Sequence, residues 1–284
     1  MRTRHVFHLI LLAGSGACAR TEQAMSAPVQ VVALDYAFQV PAQLPSGRTV
    51  FQLVNKGKVR HEFNIALLKK GVSMDRLLKT RRADVSGDSL LDGSVGVLFA
   101  SPGESNAAKL AVDLMPGREY AVICIFRDSA NAPPHYDKGM YSVIRVESAP
   151  TKAVGRRVPV DTIVSSEYFF KYPRTVPPGT RSFVLRNEGK VTHELSIILL
   201  KKGVTFENAV EVEKAGGDVD ALVEKDHGLL FAKTGKTPLG QLEIDMQPGR
   251  EYVIVCYLQD SDKSKPHYEL GMLGIIRVAG EPAT

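Results

Sequence analysis

The chain is poor in cysteine: three in 284 residues, at 18, 124 and 256. That number cannot build a disulfide framework. Cys18 falls in an N-terminal leader, and Cys124 and Cys256 sit at equivalent places in two copies of one motif, where a bridge between separate domains has no suitable geometry. Beyond the N-terminus no apolar run is long enough to cross a bilayer. Neither sign of charge dominates. The formal net charge is +5, and removing Arg2 and Arg4 with the leader leaves 34 basic against 31 acidic residues, or +3. So weak and scattered an excess excludes nucleic acid as a partner. With 44% hydrophobic and 24% charged residues, the remainder has the make-up of an ordinary globular protein.

The N-terminus reads as an export signal over residues 1–17. Met1 to His5 is a basic start, Val6 to Leu12 a short apolar run, and Ala13 to Cys18 a stretch of small residues. Gly16-Ala17-Cys18 fits lipoprotein cleavage, with Cys18 lipidated and 18–28 serving as a tether. Ala17-Cys18-Ala19 also fits an ordinary A-x-A site. Both readings place the protein outside the cytoplasm: in the periplasm or on the extracytoplasmic face of a bacterial membrane, held by a lipid anchor only, or else secreted. In such an oxidising compartment an unpaired thiol is a liability unless something binds it.

What the chain does have is a duplication. His61, Cys124, His135 and Met140 recur in the same order as His193, Cys256, His267 and Met272, each pair 132 positions apart. The segments around them repeat in register: Leu67 to Val72 against Leu199 to Val204, Leu98 to Ala100 against Leu230 to Ala232, Pro116 to Tyr120 against Pro248 to Tyr252. Two domains follow, 29–148 and 160–280, joined by a linker at 149–159 that carries Pro150 and Gly155.

Within each copy the periodicity is mainly that of strands. Aromatic-rich first strands are expected around Tyr36 to Phe38 and Tyr168 to Phe170. Phe51 and Leu53 alternate with Gln52 and Val54. His61, Phe63, Ile65 and Leu67 share one strand face, as do Tyr120, Val122 and Cys124. Lys109 to Leu114 and Tyr141 to Val146 are further strands, with turns at Asn55 to Gly57 and Pro116-Gly117. One short helix interrupts each copy. Ser73 and Thr205 are its N-caps, and Met74, Leu77 and Leu78 match Phe206, Ala209 and Val210 at helical spacing. The expected fold is mainly β: two tandem Greek-key sandwiches, each with a short helical insertion.

Two histidines, a cysteine and a methionine form the donor set of a type 1 (blue) copper site, with thiolate and imidazoles in a trigonal plane and a weak axial thioether. Zinc also accepts His and Cys, but the methionine and the export signal favour copper, cycling between Cu(I) and Cu(II), two ions per chain. Asn55-x-Gly57 ahead of His61, followed by Pro116-Gly117-x-x-Tyr120-x-x-x-Cys124, His135 and Met140, resembles the cupredoxin family, in the form of tandem plastocyanin- and azurin-like domains. The resemblance implies a copper centre at one end of each sandwich. Its first His would come from a mid-sequence strand, and its Cys, second His and Met from the loop before the last strand.

The sequence departs from that family in two places. Ten residues separate Cys124 from His135 and Cys256 from His267, where most cupredoxins have only a few. Asp128-Ser129 and Asp260-Ser261 read as turns that fold the extra length away, while Gly139 and Gly271 allow close backbone approach before Met. Glu62 and Glu194 follow the first His where Asn is common. Strand alternation sends them to solvent, the alternative being a hydrogen bond that holds the ligand loop. Tyr136 and Tyr268 are packing residues, a cover for the metal or a partner contact. Lys69-Lys70 and Lys201-Lys202 read as solvated positions, and His227, aligned with Val95, as a surface histidine.

The leading functional expectation is a one-electron carrier at each centre, serving redox partner proteins. Copper storage or delivery is the alternative, and it lacks a methionine-rich segment. An oxidase or reductase built on the same fold needs additional histidines. No His-x-His occurs, Ile123 and Val255 precede the cysteines, and four of the five histidines beyond the leader are already assigned.

Overall fold

In the computed structural model, residues 27–83, 87–148 and 158–280 are described. The leader, Cys18, nearly all of the tether and most of the linker (149–157) lie outside them. Among the described residues no helix is long and apolar enough to cross a membrane.

The first repeat runs β1 (Val29–Leu34), β2 (Ala37–Gln39), β3 (Gln43–Leu44), β4 (Gly47–Asn55), β5 (His61–Leu68), α1 (Met74–Arg82), β6 (Leu91–Ala100), β7 (Lys109–Leu114), β8 (Glu119–Ile123) and β9 (Tyr141–Val146). The second follows the same plan: β10 (Val160–Ser166), β11 (Phe169–Lys171), β12 (Thr175–Val176), β13 (Gly179–Asn187), β14 (His193–Leu200), α2 (Phe206–Lys214), β15 (Val223–Ala232), β16 (Gly240–Met246), β17 (Glu251–Val255) and β18 (Leu273–Val278). Each repeat is a two-sheet sandwich. In the first, β2-β1-β4-β7 faces β6-β5-β8-β9-β3. The inward faces alternate as expected: Phe51 and Leu53 from β4 meet Phe63, Ile65, Leu67, Tyr120 and Val122 from the opposite sheet, all buried.

The sandwiches are not separate bodies. Both sheets run on through the repeat boundary, because β6 pairs with β15 and β7 with β16, both antiparallel. Val97 pairs with Leu229 and Leu110 with Leu242. Each of these residues faces its own counterpart in the other copy, so the seam has the self-complementary form of a two-fold dimer written into one chain. Close backbone approach is what the seam requires. A Cβ at Gly228 would stand 2.3 Å from the Val97 carbonyl oxygen, and one at Gly240 2.3 Å from that of Val95. Arg48 of β4 reaches Glu243 of β16 across the same seam, both side chains nearly buried.

The helices form where their caps place them. Ser73 Oγ accepts from Arg76 N, and Thr205 closes a capping box with Asn208. α1 lays Met74, Leu77 and Leu78 on the outer face of β5 and β8, against Leu68, Ala121, Ile123 and Tyr136. That cover changes the reading of β5, which is buried on both faces. Two other expectations shift, and for Tyr136 and Tyr268 the packing alternative holds. Tyr36 and Tyr168 sit not within a strand but at the turn after β1 and β10, with φ of 63° and 57°. Tyr136 and Tyr268 pack among apolar side chains beneath the helices. His227 is not on the surface: β15 is an interior strand of the fused sheet, and the ring is 2% exposed, edge-on to Tyr252.

Candidate metal centre

His61 opens β5, Cys124 follows the last residue of β8, and His135 begins a 3-10 turn (His135–Lys138) that returns the chain to β9. Backbone hydrogen bonds fix this loop. His135 N donates to Phe126 O at 2.8 Å, Tyr136 N to Cys124 O at 3.0 Å, Met140 N to His135 O at 3.0 Å, and Cys124 N to Met140 O at 3.1 Å. Gly139 at φ 103° makes the turn that a side-chain-bearing residue would resist. The second repeat reproduces the scheme through His267, Tyr268, Met272 and Cys256 at 2.8, 3.0, 3.0 and 3.1 Å.

Three donor atoms converge in each copy. His61 Nδ1 lies 3.2 Å from His135 Nδ1, and Cys124 Sγ lies 3.4 Å from His135 Nδ1 and 4.0 Å from His61 Nδ1. In the second repeat His193 Nδ1 and His267 Nδ1 are 3.2 Å apart, and Cys256 Sγ is 3.4 Å from His267 Nδ1. In both groups all donors lie within 4.8 Å of one another and all are buried. One ion at about 2.0–2.3 Å from two nitrogens and a sulfur sets donor gaps of about 3.5 Å in a trigonal plane, so these spacings fit a single first-row metal. Met140 and Met272 are fully buried, each tied through its backbone to the Cys and second His of its own copy.

The electrostatics point the same way. Burial pushes the Cys124 and Cys256 thiols up to about 12. Burial, and then the neighbouring imidazole, push His61 and His193 down to about 4. Without a cation the sulfur is held as a thiol, and His61 and His193 as neutral rings. A bound cation reverses that balance, deprotonating the sulfur and using both Nδ1 lone pairs. The outer nitrogens, His61 Nε2 and His193 Nε2, are buried with no hydrogen-bond partner among the described residues. A Cβ at Gly57 would stand 3.0 Å from His61 Nε2 and 2.7 Å from Asp35 Oδ1, and one at Gly189 would stand 3.2 Å from His193 Nε2. The Asn55 to Gly57 turn therefore clears room for the ligand ring. Asn55 closes that turn, accepting from Gly57 N and donating to the carbonyls of Val59 and Ala100.

Two supports surround the donors: the hydrogen bond to the ligand loop that was the alternative reading of Glu62 and Glu194, and one from Asp128 and Asp260 that was not legible as such. Glu62 does not face solvent. It is buried, and its Oε1 accepts from Ile125 N at 2.9 Å, one residue after Cys124; Glu194 does the same for Tyr257 N at 2.9 Å. The backbone N–H of Glu62 also points to Cys124 Sγ at 3.5 Å. Burial raises both carboxyls to about 7. Asp128, expected only to turn the long loop, accepts from His135 Nε2 at 2.9 Å and from Tyr36 OH at 2.8 Å, and Asp260 takes the same part with His267 at 3.1 Å and Tyr168 at 2.5 Å. Each second His is therefore held in the tautomer that leaves Nδ1 free to bind. Tyr36 and Tyr168 stack edge-on to these rings with centroids 5.0 Å apart.

No family model and no curated protein sequence matches the chain. Among solved structures it is similar to the reduced auracyanin of Roseiflexus castenholzii, at 22% identity over 44% of this chain and 99% of that one, with a TM-score of 0.30. Auracyanin A of Chloroflexus aurantiacus, a blue copper protein, matches at 19% over 42% and 97%, TM-score 0.28. The copper nitrite reductase of Nitrosomonas europaea matches at 15% over 90% and 94%, TM-score 0.27. These likenesses are weak in identity and in overlap, and the metal assignment stands on the donor atoms. Each repeat is a two-sheet sandwich with a buried His, Cys and His, and that donor set suits copper, one ion per repeat.

Proposed function

We propose that the chain is an exported electron carrier with one type 1 copper centre in each repeat, exchanging single electrons with partner proteins. The ligands are His61, Cys124, His135 and Met140 in the first repeat and His193, Cys256, His267 and Met272 in the second. The observation that carries this reading is the convergence of one sulfur and two Nδ1 atoms, all buried, in both copies. Bound copper supplies a one-electron couple between Cu(I) and Cu(II).

The chain's own residues do the rest. β5 and the pinned loop hold the imidazoles and the sulfur in one arrangement for both oxidation states, which keeps reorganisation small. Asp128 and Asp260 fix the ring tautomers, Glu62 and Glu194 tie down the backbone after each Cys, and burial keeps water from the donors. Donors so enclosed and anchored suit a resident ion better than one handed on to another protein, so we favour transport of electrons over transport of copper. The histidine inventory supports a carrier over an enzyme. Four of the five described histidines are ligands, and the fifth, His227, is buried in β15 against Tyr252.

The deciding experiment is the visible spectrum and copper content of the leader-free protein beside its Cys124→Ala and Cys256→Ala variants. An intense blue band at two coppers per chain, halved by each variant, is expected. A well-folded, metal-loaded protein without that band would defeat the type 1 assignment. Export and lipidation at Cys18 are tested separately by mass spectrometry of the native N-terminus, where an unmodified Cys18 would remove the anchor.

A further inference from the structure

The two centres share their donors but not their surroundings. In the first repeat the Asp128 carboxylate, besides His135 and Tyr36, carries the ammonium of Lys138, whose Nζ also stands 4.1 Å over the Tyr36 ring. In the second repeat the position of Lys138 is taken by Leu270, exposed at the surface, and Asp260 is held by Tyr168 and His267. A position that is cationic beside the first centre is thus apolar beside the second.

We propose that this exchange makes the two centres unequal, so that the centre in the first repeat is the easier to reduce. This rests on the copper electron-carrier reading above. The oxidised ion bears one positive charge more than the reduced one. A carboxylate hydrogen-bonded through the ligand imidazole stabilises that extra charge. An ammonium on the same carboxylate cancels the effect. In the second repeat Asp260 keeps its full influence. Lys138 touches no ligand donor and acts through Asp128 and His135, as a positioning and tuning residue. One electron from a one-electron donor therefore settles first in the first repeat, leaving the second oxidised. At equilibrium the electron is held in favour of the first repeat, with no bond made or broken and no proton required.

The test uses single-centre forms of the full mature chain. Cys256→Ser leaves the first centre and Cys124→Ser the second, and midpoint potentials are read by spectroelectrochemistry on the visible band. The first centre is expected to favour Cu(I) over the second by at least tenfold, about 59 mV for a one-electron couple. Lys138→Leu should lower the first potential and Leu270→Lys raise the second, closing the gap from both sides; both positions are on the surface, so the fold is not at stake. Equal potentials, the reverse order, or exchanges that move neither value would overturn the inference while leaving the carrier reading intact. Loss of the blue band from both single-centre forms would instead overturn the carrier reading and this inference with it.

Discussion

Asp128 Oδ1 lies 2.9 Å from His135 Nε2, and the same contact recurs at 3.1 Å between Asp260 and His267. Each ligand ring is therefore gripped on the side away from the donors, by a residue that the long loop supplies. A His ligand so anchored loses little freedom when metal binds. Removing such an outer partner typically weakens metal binding about 10–100-fold. Asp128→Ala should show a loss of that size in competition with a chelator, while Asp128→Asn, which keeps an acceptor oxygen, should recover most of it. Wild-type retention by the Ala variant would show that the contact positions nothing.

Glu62 spends its carboxylate on the backbone N–H of Ile125. Taking away the acceptor strands that donor in a partly buried place, at a cost of about 1–3 kcal/mol. Glu62→Ala should lose that much in denaturant unfolding and broaden the spectrum of the centre. Glu62→Gln retains an oxygen of the same reach and should stay within about 1 kcal/mol of the parent. If the two substitutions cost the same, the hydrogen bond is not what holds the loop.

The donors were legible in the sequence because chemistry and periodicity agree on them. His61, Phe63 and Ile65 share one face of β5, and Cys124 continues the inward face of Tyr120 and Val122, so strand alternation alone turns the ligands inward. The same alternation misplaced Glu62, because it takes the other face of β5 to be wet. α1 and its apolar cluster cover that face, and helix cover is a long-range fact. Asp128 read as a turn former because its loop is long. Nothing local says that the turn folds the carboxylate back onto a histidine seven residues ahead. The seam left only an indirect trace. Leu110, Ala111 and Val112 are apolar without alternation, as a strand buried on both faces should be. Their partners, Leu242, Gln241 and Gly240, lie a whole repeat away.

That seam predicts how the protein unfolds. Arg48 and Glu243 pair across it with 11% and 4% of their side chains exposed. Leaving one member of such a buried pair without the other costs about 3–5 kcal/mol. Arg48→Ala should therefore destabilise both repeats together, lowering a single thermal transition rather than splitting it, since both sheets cross the boundary. Replacing both residues with apolar ones of similar volume should restore much of the loss. Two well-separated transitions in the parent protein would mean that the repeats fold independently and that the shared sheets add little.

His227 gives the fold an acid sensitivity separate from the metal ligands. Burial, the largest influence, holds its imidazole down to about 4 against an ordinary 6.5; a backbone hydrogen bond at Lys225 opposes the shift, the Lys225 charge adds to it, and Glu224 opposes it. The native ring is neutral beside Tyr252. As pH falls below 6.5 the unfolded chain takes up a proton that the folded one refuses, so stability is full above 6.5 and declines toward 4. At pH 5 the unfolded form is favoured by about 1.5 pH units for this one group, worth about 2 kcal/mol. The first repeat has Val95 in the same place. His227→Val should accordingly lose about 2 kcal/mol less than the parent between pH 7.5 and 5 when both are unfolded in the same metal state. Parallel stability curves for the two proteins over that range would mean that His227 finds a way to charge inside the fold.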